Sequence, residues 1–143
     1  MNKTLIGTKG EVLSKLNDLG FNVPKVFYFS VKRWNQSNEK ILNTIQQEFK
    51  NKVIVVRSST ISEDSDNESM AGTFDSVLNV HPNKTHILRA INQVIESYDD
   101  NLDNHVLIQP MVKNVIMSGV IMTRVLDDGS PYYVLNYDDK TGR

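Results

Sequence analysis

No cysteine occurs anywhere in the 143 residues, so a disulfide framework and a thiolate zinc site are both excluded. No apolar run approaches the roughly 20 residues that a helix needs to span a bilayer, and the opening MNKTLIGTKGEV is too poor in apolar residues for a secretory signal. An excess of either charge is also missing. With 16 basic residues against 17 acidic ones, general attraction to nucleic acid or to an anionic membrane is not expected. A cytoplasmic protein is the expectation. What is present, 39% hydrophobic residues with 8% aromatics over a length typical of one domain, suits a globular chain with a real core.

Elements of both kinds alternate along the chain. Val12, Leu13, Leu16 and Leu19 recur at helical spacing, and Gly20 stands where a helix takes a left-handed C-terminal residue. Pro24 introduces a short strand, Val26-Phe27-Tyr28-Phe29. Ser37 reads as the N-cap of a second helix carrying Ile41, Leu42, Ile45 and Phe49. Val53-Ile54-Val55-Val56 is β-branched without alternation, which predicts a strand covered on both faces. Phe74 to Val80 reads as another strand. Thr85 is placed to cap a third helix, whose stripe Ile87, Leu88, Ile91, Val94, Ile95, Tyr98 is the cleanest in the chain. Strands follow at Val106 to Val112, Ile116 to Leu126 and Tyr132 to Tyr137, the last two joined through the turn signal Asp128-Gly129. A second turn signal, Asp138-Asp139-Lys140-Thr141-Gly142, is followed by Arg143 alone, so the chain is expected to be the N-terminal part of something longer, the alternative being an edge strand followed by a frayed tail.

The stretch VVRSSTISEDSDNESMAGTFDSVLNV places one arginine, Arg57, at the end of an apolar strand and follows it with a long polar loop. Ligands commonly bind at the carboxyl ends of strands in α/β sheets. A guanidinium there keeps its charge and can grip phosphate oxygens with two parallel hydrogen bonds. Ser58 and Ser59 add hydroxyl donors. Ala71-Gly72-Thr73 lets the main chain approach a ligand and present N–H groups to phosphates. By spacing alone, an ion pair of Arg57 with Glu63 or Asp64 is an equally good reading.

The same stretch resembles the signature V-R-S-S-x-x-x-E-D followed by S-x-A-G-x-x-(E/D)-(S/T)-x-L-N-V of the ATP-binding domain of phosphoenolpyruvate synthases, pyruvate phosphate dikinases and related kinases. IGTKGEVLSKLNDLGFNVPKVFYFS is similar to the opening segment of that family, and VLIQPMVKNVIMSGVIMTR is similar to its V-x-(V/I)-Q-x-M-V…S-G-V-x-(F/M)-T-R segment. The three stand in the family's order and reach from Ile6 to Arg124.

The resemblance implies an α/β (α+β) fold, an ATP-grasp-like N-terminal subdomain with a mixed sheet and flanking helices, truncated before the second subdomain is complete. It divides the chain into that subdomain, 1–104, and a hinge strand with the start of the second subdomain, 105–143. It implies that Lys9 is a point charge on the phosphates and that Arg57 neutralises charge on the transferring phosphoryl group. Gly72 and Thr73 fall in the loop covering the triphosphate, although the family often has Gln at the position of Thr73. Gln109, Met111 and Val112 match the strand that receives the adenine, and Arg124 matches the arginine of T-R. Without the family, Met111 and Val112 read as ordinary core residues.

Two features read better as structural. His86 in NKTHILRA lacks the Gly-Gly that precedes the family's phosphocarrier histidine and reads as a first-turn helix residue; His81 and His105 are likewise read as structural. The acidic run Glu63, Asp64, Asp66, Glu68 reads as a solvated loop, with the ligands for Mg²⁺ expected outside this chain. The resemblance implies ATP as partner, a downstream phosphohistidine domain, and a small phosphate acceptor: pyruvate, an antibiotic hydroxyl, or a glutamine amide as in capsule-biosynthesis kinases, whose branch the terminal PYYVLNYDDKTGR resembles more than it does the dikinases. The 143 residues alone are expected to be inactive. The rival reading is a non-catalytic nucleotide-sensing or protein-interaction module.

Overall fold

A computed structural model of the chain describes residues 7–60, 76–98 and 100–140. It divides into two compact units, Met1–Met111 and Val112–Arg143. The expected 104/105 boundary falls just before a strand that belongs to the first unit.

The first unit contains α1 (Lys9–Asp18), β1 (Phe27–Ser30), α2 (Val31–Glu48), β2 (Ile54–Ser59), β3 (Ser76–Val80), α3 (Lys84–Glu96) and β4 (His105–Pro110). The strands form one sheet in the order β1-β4-β2-β3. The α/β class is as expected, but every pairing is antiparallel rather than mixed. β2 lies inside the sheet, between β4 and β3, and the apolar run that opens it is buried on both faces: Ile54 and Val56 pack under α2 and α3, and Val55, on the opposite face, is 8% exposed.

One face of the sheet carries the main core. Phe29, Ile54, Val56, Val80, Val106 and Ile108 pack against Trp34, Ile41, Leu42, Ile45 and Phe49 from the α2 segment and Ile87, Ala90, Ile91 and Val94 from α3. Burying each such large side chain stabilises the fold by about 1.5–3 kcal/mol relative to exposure. Leu88, placed on the same stripe by the sequence, is 37% exposed and stands at its margin.

Helix ends show where local signals hold and where they do not. Gly20 has φ of 84°, its N–H donates to the Asn17 carbonyl at 2.9 Å and the Phe21 N–H to the Leu16 carbonyl at 3.0 Å, the paired bonds of a Schellman motif, as its position predicted. α2, by contrast, is capped about two turns before the expected Ser37. Ser30 is its N-cap, accepting from the Arg33 N–H at 3.2 Å, while the Val31 and Lys32 N–H groups donate to the carbonyls of Asn104 and Leu102 at 2.9 and 3.0 Å. Those acceptors are remote in sequence, so no local pattern announces them. Ser37 instead marks a kink, with φ of −153° and ψ of 42°. α3 is capped by Asn83, which accepts from the His86 N–H at 2.8 Å, rather than by Thr85. Asn ranks at least as high as Thr in this role.

The second unit is a ribbon of β5 (Ser118–Met122) and β6 (Val134–Asp138), paired antiparallel from Ser118 opposite Asp138 to Met122 opposite Val134. Both strands are shorter than their apolar sequence suggests. The Asp128-Gly129 signal holds: Gly129 has φ of 69°, and the Asp128 carboxylate accepts from the Ser130 N–H at 2.9 Å. That bond, with the Ser130 hydroxyl, lowers the Asp128 pKa from its ordinary value.

Candidate nucleotide site

β2 does not end at Arg57. The strand continues through Ser59, and Arg57 is the one exposed residue in it. This corrects the expectation of a strand-end arginine, because the polar Ser58 and Ser59 still pair with β4, opposite Val106 and His105. The pleat sends alternate residues to opposite faces. Ser58 shares the helix-covered face with Val56 and Val106, while Arg57 and Ser59 lie on the other with Val55, His105, Leu107 and Gln109.

Arg57 pairs in register with Leu107, and Val55 with Gln109. Arg57 and Gln109 are therefore diagonal neighbours on one face, a relation that places Cα atoms roughly 7–8 Å apart. Gln109 is 9% exposed, and its side-chain amide has no hydrogen-bond partner among the described residues. A buried amide left unpaired costs about 1–3 kcal/mol, so its position calls for a partner. Arg57 has no ion pair among the described residues; Glu63 and Asp64, its alternative partners, lie outside them, as do Ala71, Gly72 and Thr73.

The first turn of α1 covers one end of this face. Thr8 caps it in a capping box: Thr8 Oγ1 accepts from the Glu11 N–H at 3.4 Å, and the Glu11 carboxylate accepts from the Thr8 N–H at 2.8 Å. Lys9 is the first helical residue. The Gly10 N–H donates to Ser59 Oγ at 3.0 Å, so that hydroxyl is already engaged within the fold. A Cβ on Gly10 would meet Tyr28 Cγ at 2.7 Å, so only glycine lets the helix lie this close. Thr8 Oγ1 also stands 2.8 Å from His105 Nδ1. Burial pushes the His105 pKa below the ordinary 6.5, against the opposing pull of Glu11 and Asp103. At the same end, the Tyr98 hydroxyl donates to the His105 carbonyl and accepts from the Ser59 N–H at 3.4 Å.

The remaining expected residues fall in both units. The Met111 N–H extends the β2–β4 ladder by donating to the Val53 carbonyl at 2.9 Å. Val112, in the second unit, is 66% exposed rather than core. Arg124 Nη1 donates to the Gly129 carbonyl at 2.9 Å and braces the turn of that unit. Among the described residues no group of three or more His, Asp or Glu side chains could hold a metal ion. His86 is a first-turn residue of α3, as expected, with its ring against the Asn83 amide at 3.1 Å.

The tethering of α1 was missed from sequence. Thr8-Lys9-Gly10-Glu11 is a readable capping box, but nothing local pairs Thr8 with a histidine 97 positions away.

An α/β unit that sets an exposed guanidinium beside a buried amide, without a partner among the described residues, on one sheet face has the makings of a ligand-binding domain. The family model described as "Pyruvate phosphate dikinase, AMP/ATP-binding domain" matches residues 36–137, and the chain belongs to that family. It is thus an ATP/AMP-binding part of a kinase-like family. The matched span includes Arg57 and Gln109 and leaves α1 outside. Comparison with curated proteins and with solved structures gave no match. Among the described residues no helix is long and apolar enough to cross a membrane.

Proposed function

We propose that this chain is the ATP-binding part of an ATP-grasp phosphotransferase, which passes phosphate from ATP, through a phosphohistidine on another domain, to a small acceptor such as a pyruvate-like acid or a glutamine amide. The observation that carries the reading is the pairing on one sheet face of exposed Arg57 with Gln109, buried and without a partner among the described residues. An amide can satisfy the hydrogen-bonding edge of adenine, beside the backbone of Met111 and Val112. A guanidinium can hold phosphate oxygens through parallel charge-assisted bonds. Lys9 adds a second positive charge at the phosphate end, and Ala71, Gly72 and Thr73 supply backbone donors over the phosphates. Phosphoryl transfer is catalysed mainly by positioning and by neutralising charge, which is the work assigned to Lys9 and Arg57. Ser58 and Ser59 add hydroxyl and backbone donors at the strand end, and Arg124, which matches the arginine of T-R, adds a further cation for the nucleotide.

Calorimetric titration with ATP and with adenosine tests this in the wild type and in Arg57→Ala, Lys9→Ala and Gln109→Ala. Arg57→Ala and Lys9→Ala should weaken ATP and spare adenosine, whereas Gln109→Ala should weaken both. Unchanged ATP affinity in all three variants overturns the site.

A further inference from the structure

Lys9 stands between two residues that are each tied to the sheet. Gly10 is held by Ser59 Oγ at 3.0 Å and by its close fit on Tyr28. Thr8, 1% exposed, is held by His105 Nδ1 at 2.8 Å. Thr8 Oγ1 accepts the Glu11 N–H as the helix cap, and its buried hydroxyl hydrogen still calls for an acceptor. Nδ1 of a neutral His105, with the ring proton on Nε2, would be that acceptor. A second ring proton would sit on Nδ1 and turn the bond round: the Thr8 oxygen would accept it through its second lone pair, and the buried Thr8 hydrogen would lose its acceptor.

The surroundings agree with a neutral ring. The Tyr28 ring from β1 lies 5.4 Å away, the Tyr98 hydroxyl that follows α3 takes the His105 carbonyl, and β2 presents only Ser59 opposite. Two carboxylates act on it, Glu11 from α1 and Asp103 from the segment before β4, and burial outweighs both.

We propose that His105 is a positioning residue for Lys9: in its neutral form it takes the Thr8 hydroxyl hydrogen and holds the first turn of α1 against the end of the strand that carries Arg57. The inference rests on the reading of Lys9 as a phosphate contact, and adds that a residue with no contact to nucleotide controls that contact. Affinity for the phosphates then falls on acidification, as His105 takes its second proton and the turn is released.

The test is calorimetric titration of the full chain with ATP and with adenosine between pH 5.5 and 8, in the wild type, Thr8→Val, Thr8→Ser, His105→Gln and Lys9→Ala. At pH 8, Thr8→Val is expected to weaken ATP about fivefold, as coupled neighbours do. It should leave adenosine unchanged and cost nothing further in the Lys9→Ala background, and Thr8→Ser should restore wild-type binding. On acidification the wild type should lose ATP affinity more steeply than His105→Gln, whose side chain does not titrate. Comparing those two profiles removes the titration of ATP's own phosphate. If Thr8→Val does not fold, the slope difference between the wild type and His105→Gln decides. Parallel slopes, or equal losses from Thr8→Val with and without Lys9, overturn the inference while Lys9 stands as a phosphate contact. Unchanged ATP affinity in Lys9→Ala removes that contact itself, and the inference with it.

Discussion

Arg57 and Gln109, 52 positions apart in the chain, are diagonal neighbours on one face of the β2–β4 pair, because Arg57 opposes Leu107 and Gln109 opposes Val55. One side chain is charged and exposed, the other neutral and buried, so the two respond differently to mutation.

Arg57→Ala should leave the fold nearly as stable as the wild type, since the side chain is exposed and surface substitutions usually stay within about 0.5 kcal/mol. Its loss of ATP affinity should be about tenfold to a hundredfold, the scale of a hydrogen bond to a charged group. Arg57→Lys keeps the charge and loses the fork, so it should recover only part. Urea denaturation beside calorimetry separates the two effects.

Gly10→Ala should destabilise the protein by about 1–3 kcal/mol, the usual cost of overpacking, although alanine favours a free helix. The added Cβ would meet Tyr28 Cγ at 2.7 Å and Tyr28 Cβ at 2.8 Å. Combining it with Tyr28→Ala should recover part of the loss relative to Tyr28→Ala alone. Additive losses in the double-mutant cycle would contradict the contact.

Ile91→Ala and Leu88→Ala make a matched pair on α3. Ile91 is 0% exposed, and its truncation should cost about 2–5 kcal/mol. Leu88, 37% exposed, should cost much less. Denaturation midpoints of the two variants check the difference.

Stability should decline in mild acid through His105. Its folded pKa lies below the ordinary 6.5, so in that range the unfolded chain binds more protons than the folded one. The contribution is fully present above about 6.5 and is lost as pH falls through the folded value. His105→Gln should flatten this part of the profile, as read from thermal midpoints between pH 8 and 5.

Much of the fold was legible because its signals are local. The apolar stripe of α3, the left-handed Gly20, the β-branched run of β2 and the Asp128-Gly129 turn each express a preference of a few neighbouring residues. Ser37 shows the limit. It is a good cap by type, yet α2 begins at Ser30, where the carbonyls of Leu102 and Asn104 take the first helical N–H groups. The site divides in the same way: Arg57 stood out as a charge in an apolar stretch, but its place inside the strand depends on β4 pairing onward to Ser59.

The sequence by itself determined the α/β class, the elements and the family, because periodicity, turn chemistry and motif order are written along the chain. Only the tertiary structure decided that the sheet is antiparallel, that Gln109 shares a face with Arg57, and that Thr8 meets His105. Strand register and helix docking are set by hydrogen bonds and packing between remote segments, and no run of neighbouring residues encodes them.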